Sequence, residues 1–310
     1  MISFNVWQNM SVVDYVLSHF SYFYSFLHYR RIYKNSISIS INVLRNKFPI
    51  KAVLQDGTKI ILKNRFDLYA KSHNPKNKYE FVNENKISVS LNDLKKTIVL
   101  ETHKGSGGGI FSAFLSDTWH THKMKNKTVI DVGAYIGDSS ISFAINGAEK
   151  VIALEPLYQN YQLAKKNIQN NQLNEKIDLF LAGCGTYDHT ITIDPNRESS
   201  AQADIKVKND GMDIQIFSLK SILQNNNTNS VVLKMNCEGC EYDTILKSPE
   251  EILKKFEFIV IEYHYGYKNL KEKLEKCGFN VSIIKPIFAL NKDAENNKMY
   301  IGKLYADKIN

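Results

Sequence analysis

Four cysteines in 310 residues (Cys184, Cys237, Cys240 and Cys277) are too few for a disulfide framework in a chain of this length. A basic n-region and a small-residue cleavage site are also missing from the N-terminus, so no secretory signal is expected and a reducing, cytoplasmic compartment is. The aromatic-rich opening segment is interrupted by Asp14, Ser18, His19, Ser21 and Ser25, which argues against a transmembrane span. Dense Lys/Arg runs and RNA-binding signatures are absent too. The net charge of +8 and pI near 9.0 therefore describe scattered, solvated lysines, and nucleic acid is not an expected partner. Cys237-Glu-Gly-Cys240 is formally C-x-x-C, yet no second such pair and no H-x-x-x-H supplies further zinc ligands, so no metal is expected.

What the chain does contain is a strand, a glycine loop and a helix in succession. Val129 to Val132 is a short apolar run, Gly133 and Gly137 follow, and Ile141, Phe143 and Ala144 have helical spacing. A second buried strand, Val151-Ile-Ala-Leu-Glu-Pro156, ends in an acid. Glu155 lies 22 residues after Gly133, close to the ~20-residue interval at which such folds set a carboxylate on ribose hydroxyls. The loop lacks the G-x-G-x-x-G of pyrophosphate sites and carries two carboxylates, Asp131 and Asp138. Negative charge at a helix start disfavours phosphates and favours a cationic ligand. S-adenosylmethionine has a ribose, no phosphate, an ammonium and a sulfonium, and it meets these requirements.

Three segments carry a family resemblance: Asp131-Val-Gly-Ala-Tyr-Ile-Gly137, Leu154-Glu-Pro156 and Leu233-Lys-Met-Asn-Cys-Glu-Gly-Cys-Glu-Tyr242. They resemble the FkbM family of class I S-adenosylmethionine-dependent methyltransferases, over about residues 125–285. The usual form of the third motif is Lys-Ile-Asp-Val-Glu-Gly-Ala-Glu. Here Asn236 replaces the aspartate and Cys237 and Cys240 occupy positions usually held by small residues, so both cysteines are expected to act as small packing groups. Glu238, Gly239 and Glu241 are retained. The resemblance implies a Rossmann-like, doubly wound seven-stranded α/β sheet that closes on an antiparallel hairpin. It also implies methyl transfer to a hydroxyl of a sugar, glycan or secondary metabolite.

The remaining chain divides into 1–35, 36–120 and 121–310. In the first part Val13, Val16, Phe20, Phe23 and Leu27 recur at three and four, an apolar helical stripe. That stripe suits docking on its own domain or on a second subunit in a homodimer. It also suits peripheral membrane contact through residues 12–34, with Arg30, Arg31 and Lys34 meeting anionic lipid. From Ser36 the period changes to two at Ile37, Ile39 and Ile41, and a hairpin turns at Asp56-Gly57. Ile87–Leu91 and Thr97–Leu100 add strands to this small antiparallel element. Lys104-Gly-Ser-Gly-Gly-Gly109 lacks the Gly-Lys-Ser/Thr ending of a P-loop and suits a hinge or a loop over the cofactor mouth. His120 and His122, with His103 nearby, do not by themselves define a metal site.

Ligands of open α/β sheets bind at the carboxyl ends of the strands. The loop and strand ends thus nominate Asp131, Gly133, Ala134, Tyr135, Gly137, Asp138, Ser139, Glu155, Pro156, Ala182, Gly183 and Asn236 for the cofactor. Glu238, Glu262 and His264 are the candidate bases, His264 because its ordinary pKa is near neutrality. Three rivals to an O-methyltransferase are a nicotinamide-type oxidoreductase, a cofactor-binding scaffold without activity and a nucleic-acid methyltransferase.

Overall fold

A computed structural model of the chain describes residues 6–73, 78–91, 95–103, 108–195, 211–226, 230–290 and 298–309. Three short helices open it: α1 (Val12–Ser18), α2 (Ser21–Ile32) and α3 (Ser36–Leu44). The third overturns the expected strand. Its isoleucines do alternate, but Ile39 and Val43, four apart, are the buried pair, while Ile37 and Ile41 face outward. Tertiary burial at i and i+4 outweighs a local period of two. Behind these helices the hairpin Ile50–Val53 with Lys59–Leu62 forms as expected around Asp56-Gly57, and packs with Tyr29, Tyr33 and Leu68.

A three-stranded antiparallel sheet follows, of Lys78–Asn83, Lys86–Leu91 and Lys96–Glu101. Two of its strands were expected. The first, and the helix Arg65–His73 before it, were not.

Seven strands make the central sheet: β1 (Thr128–Val132), β2 (Lys150–Leu154), β3 (Ile177–Phe180), β4 (Val231–Met235), β5 (Phe256–Tyr263), β6 (Phe279–Leu290) and β7 (Lys298–Lys308). Their spatial order is β6-β7-β5-β4-β1-β2-β3. The five strands β1 to β5 run parallel, and β7 pairs antiparallel with both β5 and β6. This is the doubly wound sheet with a closing hairpin. Residues 291–297, between β6 and β7, lie outside the described residues. Every residue of β1 and β4 is buried, as parallel strands covered on both faces require. Ile130, Val132, Leu233 and Met235 fill the core on one side, and Val129, Val232, Phe258 and Val260 the core on the other.

Two of the buried positions in β1 and β4 are charged. Asp131 (0 % exposed) and Lys234 (2 %) are direct partners in the β1–β4 ladder, with Nζ 2.8 Å from Oδ1. Isolated buried charges are prohibitively costly, whereas a hydrogen-bonded pair is tolerated. Lys234→Met leaves Asp131 unpaired and should cost about 3–5 kcal/mol. Adding Asp131→Asn should recover part of that loss. Urea unfolding of the single and double variants measures the coupling, and strictly additive costs would show that the two groups act independently.

Candidate functional site

The glycine loop is held by its neighbours on three sides. Gly133 and Ala134 donate their N–H groups to Leu154 O at 3.0 Å each. Lys234 Nζ donates to Gly133 O at 2.8 Å. A Cβ on Gly133 (φ +76°) would lie 1.8 Å from Asn236 O, so no other residue fits between β1 and β4. Tyr135 (φ +51°) then points its N–H at Glu155 Oε2, 2.8 Å away. Gly137 (φ +82°) lets the chain pass over Ala164 and enter the helix Asp138–Ile145.

The nominated acids divide into two kinds. Asp131 belongs to the scaffold: besides Lys234 it accepts from Ser139 Oγ at 2.7 Å and Ser140 Oγ at 2.6 Å, so Asp131 and Ser139 brace the helix start from beneath. Asp138 and Glu155 flank the loop and are buried with no cation paired to them among the described residues. Burial pushes Asp138 up to about 6, against the pull of Lys234 and with the push of Asp131. Burial likewise pushes Glu155 up to about 7, against hydrogen bonds from Leu157 N–H, Asn160 and Tyr135 N–H.

Asn160 and His103, neither of them nominated, complete this corner. Asn160 Nδ2 donates to Glu155 Oε1 at 3.2 Å, and His103 Nε2 lies 2.8 Å from Asn160 Oδ1. The strand before His103 is fastened by Asn167, whose side chain bonds both Glu101 N and Glu101 O. His103 therefore belongs beside the acid, away from His120, which stacks on Tyr305 with ring centroids 4.2 Å apart. Most of the Lys104–Gly109 loop lies outside the described residues; its last glycine packs directly on the Asp138 carboxylate.

Ala182 and Gly183 form the start of a strand, Ala182–Gly185, that pairs parallel with Met212–Ser218. Ala182 is buried in the core, and a Cβ on Gly183 would lie 2.6 Å from Ile216 and 3.7 Å from Pro156. Packing accounts for both small residues.

At the end of β4, Asn236 donates its N–H to Val132 O, while its buried Oδ1 has no partner among the described residues. Glu238 follows with φ +58°, a strained value for a residue with a side chain. The turn Glu238–Gly239 brings Cys237 and Cys240 to a Cα separation of 5.5 Å and they form a disulfide. Both do pack against the core, as expected, and the bond between them is the addition. The C-x-x-C spacing at the start of the helix Cys240–Lys247 was the signal. The two sulfurs and Glu241 cluster within 4.8 Å, but bonded sulfurs offer no thiolate to a metal.

His264, just beyond β5, is buried between two carboxylates. Its Nδ1 is 2.8 Å from Glu241 Oε1 and its Nε2 3.2 Å from Glu238 Oε2. Burial alone would lower its pKa, but Glu238 and Glu241 outweigh burial and hold it well above the usual range. The two flanking carboxylates therefore favour the protonated form of the His264 ring. Glu241 also accepts from Gly239 N–H at 2.9 Å. Glu238 keeps 19 % of its side chain exposed, and burial raises its pKa against the pull of His264. Glu262 is the poorer acceptor of a proton: burial raises it, but Lys303 and His264 outweigh burial and keep it below the usual value. Lys303 pairs with Glu262 and lies 3.6 Å over the Trp119 ring.

Two checks follow from this geometry. A carboxyl whose folded pKa is raised takes up a proton on folding, so its stabilising contribution is complete below about 4.5 and is lost as pH rises through about 7 for Glu155. The ligand-free protein should therefore gain stability from Glu155 as pH falls from 7, and Glu155→Gln should flatten that rise in unfolding curves. Alkylation of unreduced, unfolded protein should modify Cys184 and Cys277 only; mass spectrometry after reduction should show Cys237 and Cys240 as well.

Residues 131–281 match the methyltransferase FkbM domain model. No curated protein matches the chain in sequence. Among solved structures, a precorrin-6y C5,15-methyltransferase from Geobacter metallireducens aligns at 15 % identity and a TM-score of 0.35, covering 62 % of this chain and 87 % of that one. A magnesium protoporphyrin IX methyltransferase from Synechocystis, with bound S-adenosylmethionine, aligns at 13 % identity and a TM-score of 0.32, covering 62 % and 76 %. The matched segment, which contains the loop, Glu155, the Asn236–Glu241 turn and His264, is a methyltransferase FkbM domain by this match.

Proposed function

We propose that this chain transfers a methyl group from S-adenosylmethionine to a hydroxyl oxygen of a sugar, glycan or secondary metabolite, with Glu238 as the base. The observation that carries the reading is the charge around the loop. Asp138 and Glu155 are buried beside it, and the nearest cation, Lys234, is consumed by Asp131 and Gly133 O. A pyrophosphate would meet two acids and, among the described residues, no free cation there, whereas a cationic, phosphate-free cofactor would be attracted. Asn236 Oδ1, buried and unpartnered among the described residues, would gain a donor from such a ligand.

Glu155 would hold the ribose hydroxyls, and Gly133 to Gly137 would pass beneath the cofactor. When bound, the sulfonium supplies a methyl group that is already electrophilic, which leaves the protein with alignment and one proton. Glu238 takes that proton from the acceptor hydroxyl as the carbon–oxygen bond forms. Its raised pKa makes it a stronger base than a solvated carboxylate. The His264 imidazolium keeps it ionised before the reaction, and Glu241 fixes the ring so that Nε2 faces Glu238.

Thermal unfolding with S-adenosylhomocysteine, with NAD and without ligand tests the cofactor. At ~100 times its dissociation constant a ligand adds about 2.7 kcal/mol of stability. The shift should appear with S-adenosylhomocysteine alone, weaken in Glu155→Ala, and weaken in wild type as pH falls below about 7 and Glu155 protonates. Glu238→Gln should keep the shift yet abolish S-adenosylhomocysteine release with hydroxylated acceptors. A shift with NAD instead would overturn the reading, and cofactor binding without turnover on any acceptor would favour the scaffold.

A further inference from the structure

Helix α1 is built inside out. A surface helix ordinarily turns its apolar stripe to the core and its polar residues to water. In α1 Asp14 and Ser18 are buried, while Val12 (73 % exposed), Val13 and Val16 face outward. The pattern continues through Phe20 into α2, where Phe23 (56 %), Tyr24 and Leu27 are exposed and Tyr29 is buried. The exposed positions 20, 23, 24 and 27 fall on one side of α2 by their three- and four-residue spacing, and Arg30 and Arg31 extend that side.

A cavity of about 1020 Å³ opens between α2 and α3 at this end. Arg30, Lys34 and Arg45 line it, together with Phe26, Ile37 and Ile41, and its wall includes no carboxylate. Asp56, the acid whose charge Lys34 feels, is exposed on the hairpin turn outside the cavity. Among the described residues none of the three cations forms an ion pair, and together they suit a phosphate group. The neighbouring exposed apolar side chains suit a hydrocarbon boundary, and together they match the two halves of an anionic lipid. A symmetric pairing with a second copy suits them less well, because a two-fold contact through this patch would set its cations against their own copies.

We propose that α1 to α3 form a membrane-docking face, in which the exposed valines and aromatics enter the acyl boundary and the Arg30–Lys34–Arg45 cavity receives the phosphate of an anionic lipid headgroup. The mode is peripheral. No helix among the described residues is long and apolar enough to cross a membrane.

Sedimentation of the full chain with vesicles tests the proposal. Binding is expected to phosphatidylcholine vesicles containing about one third phosphatidylglycerol, to weaken with added salt, and to be much poorer with phosphatidylcholine alone. Arg30→Gln/Lys34→Gln/Arg45→Gln should bind roughly 100-fold more weakly, from about 1 kcal/mol per cation. Phe20→Ser/Phe23→Ser should lose binding even at low salt, with an unchanged unfolding temperature in both variants. Equal binding to neutral and anionic vesicles would overturn the cavity's role. Stabilisation by inorganic phosphate without vesicle binding would make this a site for a soluble anion and overturn docking. Absence of vesicle binding, with or without dimers by light scattering, would overturn it as well, and the wild-type comparison alone suffices for that.

Discussion

A single buried ion pair organises the cofactor end of the sheet. Lys234 and Asp131 face each other across β4 and β1 at the centre of the molecule, where neither could stand alone. Each charge then recruits more of the site. Lys234 reaches Gly133 O and fixes the loop to β4, and Asp131 takes the hydroxyls of Ser139 and Ser140 and fixes the start of the following helix. Strand end, loop and helix are tied to one point. Among the described residues the same arrangement leaves no unpaired cation beside the loop, where Asp138 and Glu155 are buried.

The acceptor side follows a similar logic one strand further along. A histidine between two carboxylates carries its proton, and its work is to hold one carboxylate in place while the other holds it. Glu241, fully enclosed, also caps the turn at Gly239, whereas Glu238 keeps a path to solvent. The two carboxylates differ in exposure: the enclosed one holds the ring, and the other borders solvent. Asn236, which replaces the family's aspartate, removes a negative charge from a corner that already holds Glu238, Glu241 and Glu262. With three acids sharing the His264 and Lys303 cations, a fourth would raise the pKa of each. The disulfide closes the loop that carries Glu238, so its strained φ is held covalently as well as by the His264 contact.

Much of this fold was legible because its signals are long-lived and local. Continuous apolar runs named β1, β2, β4 and β5, and the glycines after β1 named the turn into the following helix. What escaped depends on partners distant in sequence. Ser36–Leu44 has a strand's alternation and a helix's burial, and only the packing of Ile39 and Val43 settles it. His103 and Asn160 sit beside Glu155 through a strand–helix contact that no motif encodes. Lys234 left a usable trace, since a lysine inside Val231-Val-Leu-Lys-Met235 must find a buried anion. His264 was found by position, but its protonation depends on two glutamates converging in space.

The inverted helix α1 is a consequence of the site rather than a defect in the core. Asn9 accepts from Tyr267 N–H and Asn269 N–H and donates to Tyr265 O, clamping the N-terminal segment to the loop just after His264. Asp14 then accepts from the Tyr267 hydroxyl at 2.6 Å and pairs with Lys285 at 3.3 Å. Those bonds fix the rotation of α1. With Asp14 and Ser18 turned inward, Val12, Val13 and Val16 must turn outward, because residues on opposite faces of a helix cannot both be buried against one surface. Substituting the valines with polar residues would remove an exposed apolar row without touching the Asn9 and Asp14 anchors. The sequence keeps both, the polar anchors facing the loop after His264 and the apolar row exposed. The anchors account for the inward face, and the outward one stays exposed among the described residues.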